Sequence, residues 1–318
     1  MSVCVLVVLA VAISLAQAPA VKSSVIDAPQ LLKDLEILSA DDMEGRQVGT
    51  RGGAKARAFI IDRFKASGIQ PFGESYEQPF TFSSGRAWQA AERKGVNVIG
   101  RIDGSRTPRK YIVVTAHYDH IGTRNGEVFN GADDNASGTA ALFAVAKYFS
   151  SHTPVNSLII AAFDGEESGL RGARAFVAAP PVAAASMIIN LNIDMIGRDP
   201  NDLLYVVGTR QQVFLKPIIE RIATGAPVKL VMGHDDPTEK ENWTGDSDHA
   251  AFCKAKIPCL YFGVEDFAQH HKATDDYATM THGFYVRAVE TMIRAVEEFD
   301  KSLDEVEKAR GSKEPRAK

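Results

Sequence analysis

Three cysteines in 318 residues, none in a C-x-x-C pair and none followed by histidine at finger spacing, exclude a structural zinc finger. The net charge is -4 and the Lys and Arg residues are scattered, so there is no basic footprint for nucleic acid. No second domain of any size, internal repeat or low-complexity linker interrupts the chain. The apolar run Val3 to Ala16 falls short of the about 20 residues that a membrane span requires. It is followed by Ala16-Gln17-Ala18 and Ala18-Pro19-Ala20, small-x-small patterns suited to a signal peptidase, although no Lys or Arg precedes it.

What is present is enough apolar material, 45% of residues, for one large core. The expected organisation is a signal peptide over 1–20, one catalytic domain over 21–308 and a charged, flexible tail over 309–318, with fraying from Lys301 onward. A secreted or periplasmic location and a monomer without a stable membrane span follow. Cys4 leaves with the signal, and Cys253 and Cys259 remain as either a short-loop disulfide or two buried thiols.

Apolar spacing predicts helices over 29–38, 53–66, 138–149, 213–223 and 284–299. Short apolar runs predict strands over 96–100, 111–116, 158–163, 187–193, 203–207 and 257–262, with a looser edge strand over 76–88. The β-α-β alternation around Gly138–Phe149 calls for a parallel sheet. The fold class expected is α/β, a mixed and largely parallel sheet with helices on both faces, a three-layer sandwich of the zinc-peptidase kind.

Three of those strands end on chemistry. One delivers His117, one precedes Glu166-Glu167, and one runs into Asp194, at the carboxyl ends where open α/β sheets keep their sites. Two loops add Gly131-Ala132-Asp133-Asp134-Asn135-Ala136-Ser137-Gly138 and His270-His271. Alone, each could be structural: Asp-Asn-Ala-Ser-Gly would serve as a helix N-cap. Together, buried acids and imidazoles are costly unless something pairs them, and a bound dication does so.

The runs Thr115-Ala116-His117-Tyr118-Asp119-His120, Gly131 to Gly138, Asp164-Gly165-Glu166-Glu167-Ser168-Gly169, Asn192-Ile193-Asp194-Met195-Ile196-Gly197, and Ser247-Asp248-His249 with His271 and Asp275, in that order, resemble the M28 family of co-catalytic zinc aminopeptidases. Met43-Glu44-Gly45-Arg46 also looks like that family's N-terminal helix connection. The resemblance implies two Zn²⁺ per chain, which suits these imidazole and carboxylate donors, with Mn²⁺ or Co²⁺ left open by the sequence. Asp134 would bridge them, with His117 and Asp194 on one metal and Glu167 and His271 on the other. The residues alone leave Asp133 as a competitor for the bridge; the resemblance selects Asp134. Glu166 would be the general base. Asp119 and Asp275 would orient the histidines from behind, Asp119 by fixing the ring tautomer of His117. His120 and His249 are read as loop or supporting residues, and Asp248 as a loop support. The Asp134-Asn135 peptide would be cis. Where many relatives carry tyrosine before the last histidine ligand, this chain has His270, which would either take over as donor to the substrate carbonyl oxygen or face solvent while another residue donates.

The activity so implied is hydrolysis of the N-terminal peptide bond of peptides with a free amino terminus, by a hydroxide bridging the metals. The loop 231–246, with Trp243, is a candidate pocket wall. The alternatives are a dipeptidase or carboxypeptidase on the same metals, a glutaminyl cyclase working with a single zinc, and a non-catalytic binding domain that had lost a ligand or the base.

Overall fold

The computed structural model describes residues 21–84 and 91–311; the expected signal segment 1–20, the end of the predicted edge strand and the end of the expected tail lie outside them. Strands β1 (Glu77–Ser84), β2 (Ala91–Ile102), β3 (Tyr111–His117), β6 (Ser157–Phe163), β7 (Met187–Ile193), β8 (Leu203–Val207), β9 (Lys229–Met232) and β10 (Cys259–Gly263) form one eight-stranded sheet, and β4 (Thr123–Arg124) pairs with β5 (Glu127–Val128) in a separate ribbon. The sheet order is β1-β2-β6-β3-β7-β10-β8-β9. The four middle strands, β6, β3, β7 and β10, are parallel, with antiparallel pairings outside them at β2/β6 and β10/β8.

The middle strands are buried along their whole length, which is why they read as unbroken apolar runs. Their alternate residues feed two cores. Ile112, Val114, Leu158, Ile160 and Leu191 pack with α1 (Ala28–Leu38), α2 (Arg51–Ala66), α3 (Gly138–Ser151), α5 (Lys216–Thr224) and α7 (His282–Gly311). Val113, Ile159, Ala161 and Phe163 pack against α4 (Arg171–Ala178) and α6 (His249–Lys254). Helices thus cover both faces of a mixed α/β sheet, as the sequence predicts.

The C-terminal end departs from expectation. Helix α7 does not fray at Lys301: Leu303 and Val306 continue its buried stripe, and Arg310 donates to the carbonyls of Met187 and Ala185. The first residues of the predicted tail are therefore helical. Helices α4 and α6 and strand β9 have no counterpart in the sequence reading; they are four to eight residues long, too short for periodicity to declare itself. Cys253 and Cys259 are joined as a disulfide that ties α6 to the start of β10.

Candidate metal centre

His117 is the last residue of β3, Asp194 follows β7 directly, and Glu166-Glu167 lie in the turn after β6. Asp134 arrives from the segment before α3, where the Asp134-Asn135 peptide is cis. His270 and His271 come from the loop after β10. They converge at the carboxyl ends of the parallel strands.

The geometry centres on Asp134, which is buried. His117 Nε2 lies 3.4 Å from Asp134 Oδ1 and 3.2 Å from Asp194 Oδ1. On the other carboxylate oxygen, His271 Nε2 lies 3.2 Å from Asp134 Oδ2 and 3.0 Å from Glu167 Oε2. His270 Nε2 is 3.6 Å from the same Asp134 Oδ2. Among the described residues, three groups of donor atoms are close enough to share an ion: His117 with Asp134 and Asp194, His120 with Asp134 and Glu167, and Asp134 with His270 and His271. Asp133 is not among them. Its carboxylate turns away to accept from Gly197 N at 2.7 Å and Ser137 Oγ at 3.2 Å.

His120 is closer to the site than the sequence reading placed it. It is fully buried, with Nδ1 2.7 Å from Glu167 Oε1 and 3.6 Å from Asp134 Oδ2. Neither of its ring nitrogens makes an aligned hydrogen bond, and Glu167 Oε1 and Asp134 Oδ2 are likewise without hydrogen-bond partners. Lone pairs buried face to face are repulsive until a cation stands between them. Imidazole nitrogens and carboxylate oxygens are also the donor set that zinc takes. The residues fit a dication.

Electrostatics carry the same message. Burial opposes charge on His117, yet Asp194, Asp119 and Asp134 together hold its imidazole well above the ordinary value. Contacts with Asp134 and then Glu167 raise His271 to about 10. Burial opposes ionisation of Asp134, but His120, His117 and His271 outweigh it and hold the carboxyl well below the usual range. Glu166 behaves differently. It lines the same cavity but takes part in none of these ion pairs, and burial, reinforced by Asp248, Asp194 and Glu167, holds its carboxyl well above the usual range.

The supporting residues are more specific than their spacing suggests. Asp119 reaches His117 chiefly through its backbone: its carbonyl is 3.1 Å from Nδ1, its carboxylate 3.7 Å. The expectation that the carboxylate fixes the His117 tautomer is corrected accordingly; that carboxylate instead accepts from the Glu166 N–H at 3.0 Å. Asp275 accepts from the N–H groups of Asp133 and Asp134 at 2.9 and 3.0 Å and from Arg198 Nη2 at 2.9 Å. Asp194 Oδ2 accepts from Ser247 Oγ at 2.6 Å, Ser247 from Asn192 at 2.8 Å, and Asn192 from Thr115 at 2.7 Å. This chain of hydrogen bonds runs across β7 and β3 into the core.

Arg46, from the connection between α1 and α2, is fully buried and donates to the carbonyls of Tyr118, Leu38, Asn130 and Gly131 at 2.5–2.8 Å. Gly45 beside it has φ +63°, and a Cβ there would lie 2.5 Å from Phe129 O. Asp248, which precedes α6, and His249, its first residue, are both buried and are pushed by burial in opposite senses, up to about 8 and down to about 4. Above the cluster is a cavity of about 590 Å³, with Trp243, Glu241, Gly245 and Asp246 from the expected loop among its lining. Leu170, Met195 and His271 line it with positive φ, the strained backbone common around sites.

Comparison with known proteins agrees with this geometry. The sequence matches Peptidase family M28 over residues 97–296, more than half of the chain. It is 26% identical over 196 residues to a probable zinc metalloprotease of Pyrenophora teres f. teres, covering 55% of this chain and 40% of that protein, so it spans less than half the length of this relative. Its fold is similar to that of a zinc aminopeptidase from Bacillus subtilis, with a TM-score of 0.70, 16% identity, and 86% and 96% of the two chains covered. It is also similar to that of a glutaminyl cyclase from Porphyromonas gingivalis, with a TM-score of 0.65, 17% identity, and 87% and 99% covered. With the matched span containing His117, Asp134, Glu166, Glu167, Asp194 and His271, the chain belongs to peptidase family M28.

Proposed function

We propose that the chain is a two-zinc aminopeptidase acting on peptides with a free N-terminus. The observation that carries this reading is the division of labour around Asp134. One oxygen faces His117 beside Asp194, the other faces His271 beside Glu167, and Glu166 stays outside the ion pairs. His117 and Asp194 would hold one metal, Glu167 and His271 the other, and Asp134 both, with buried His120 behind Glu167. When bound, the two metals supply a Lewis acid for the substrate carbonyl and lower the pKa of a water toward neutrality.

The chain's own residues do the rest. Glu166, whose carboxyl binds a proton more readily than an exposed glutamate, takes one from the attacking water and passes it to the leaving amine. His270, half-exposed on the cavity wall, donates to the substrate carbonyl oxygen. The cavity carboxylates attract the substrate's α-ammonium. Export is part of the reading: the Cys253–Cys259 disulfide suits an oxidising compartment, and no helix among the described residues is long and apolar enough to cross a membrane.

The test is release of the first residue from aminoacyl amides, before and after chelation, beside pyroglutamate formation from Gln-peptides. Chelator-sensitive amide hydrolysis supports the proposal; cyclisation without hydrolysis replaces it with an acyltransferase.

A further inference from the structure

The sheet order β6-β3-β7-β10-β8 arranges the cavity lining from side to side. Glu166, Glu167, Leu170 and Arg174 belong to the segment after β6, while His117 and Asp194 stand over β3 and β7. Tyr261 is on β10, and Trp243 packs on Tyr205 of β8 with ring centroids 5.8 Å apart. The β10–β8 side is apolar, with Trp243, Tyr261, Val264 and Phe267, and carries three carboxylates, Glu241, Asp246 and Asp266, the last paired with Arg198. An ammonium group is therefore drawn to that side.

The opposite side has the reverse character. Among the described residues, Arg174 is the one Lys or Arg lining the cavity, and its guanidinium makes no hydrogen bond or ion pair. Its neighbour Arg171, by contrast, is held by Ser168 O at 2.9 Å and lies over the Phe82 ring. In a cavity otherwise supplied with carboxylates and imidazoles, Arg174 is where an anionic part of a substrate is attracted, and a guanidinium matches a carboxylate two-pronged. Arg174 and the proposed ligands line one cavity of about 590 Å³, so a carboxylate on Arg174 and a bond held at the ligands would belong to one short bound peptide.

We propose that Arg174 binds the C-terminal carboxylate of di- and tripeptides, with the N-terminal residue against the Trp243–Phe267 wall, so that this chain is specialised for short peptides. The proposal rests on the aminopeptidase reading above. The experiment compares Leu-Gly with Leu-Gly-amide, which differ in the carboxylate alone. The ratio of their kcat/KM values is expected to exceed ~10 in the wild type, to fall to about one in Arg174→Gln through KM more than kcat, and to recover partly in Arg174→Lys. A wild-type ratio near one, or one that Arg174→Gln leaves unchanged, overturns the proposal while leaving the aminopeptidase intact. Calorimetry on Glu166→Gln, which is expected to hold both compounds while cleaving them ~10²–10⁴-fold more slowly, gives the same comparison as binding. Failure of the wild type to cleave either compound, together with absence of binding, removes both readings.

Discussion

Replacing Asp275 by asparagine tests how the bridging loop is held. The Asp275 carboxylate is buried and accepts from three donors, the N–H groups of Asp133 and Asp134 and Arg198. Asparagine keeps one acceptor oxygen and turns an NH₂ group onto a donor. Hydrogen bonds to a charged group contribute about 1.5–3 kcal/mol each, and at least one is lost. Part of that is returned, because Asp133, raised by burial first and by the Asp275 charge next, is relieved of a like-charged neighbour. A net cost of about 2 kcal/mol at the loop corresponds to roughly 30-fold in an equilibrium constant, within the about 10–100-fold usual for residues that orient ligands. The assay is zinc affinity by competition with a chromophoric chelator, beside urea denaturation of the metal-free protein. Zinc affinity within about threefold of wild type would refute the reasoning, and a lowered urea midpoint with that result would make Asp275 a support of the fold alone.

Elemental analysis of active, unchelated protein should give about two metals per chain, and His271→Ala should strip one of them; one metal or none in active protein ends the two-metal reading. Glu166→Gln should keep its metals and lose ~10²–10⁴-fold in kcat; near-normal turnover removes Glu166 from the mechanism. His249, buried and held neutral, has its pKa lowered from 6.5 to about 4, so it contributes stability that is fully present above pH 6.5 and lost as pH falls toward 4. The amount is about 3 kcal/mol, and His249→Phe should flatten the denaturation profile over that window; an unchanged acid limb contradicts it.

Much of this centre was legible because metal chemistry constrains residue type and order together. His117, Asp194 and the two glutamates announced themselves as polar residues ending apolar strands, a juxtaposition that a core does not produce by itself. His120 was passed over because β3 ends at His117, and beyond a strand end the alternation that tells inward from outward no longer applies. Asp119 was placed correctly beside His117, but which of its oxygens does the work is a matter of backbone direction, invisible in spacing. Helix α7 outran its predicted end because the charged residues after Lys301 concealed Leu303 and Val306 at helical intervals. Arg174 offered no signal at all: an arginine on a short helix acquires meaning only when sheet order sets it across a cavity from carboxylates.

Arg46 joins what the chain order separates. Its four acceptors belong to the end of α1, the turn after His117 and the turn before Asp134, so one guanidinium clasps three stretches that otherwise have no reason to move together. Opening any one of them strands a buried positive charge, and the cost of that falls on the other two. The segments carrying His117 and Asp134 should accordingly exchange their amide hydrogens as one cooperative unit with the N-terminal helix pair, rather than as independent loops. A fragment beginning at residue 97, where the family match starts, would contain every proposed ligand and lack the clasp. Its loops would sample many arrangements, and metal would have to select among them before catalysis could begin.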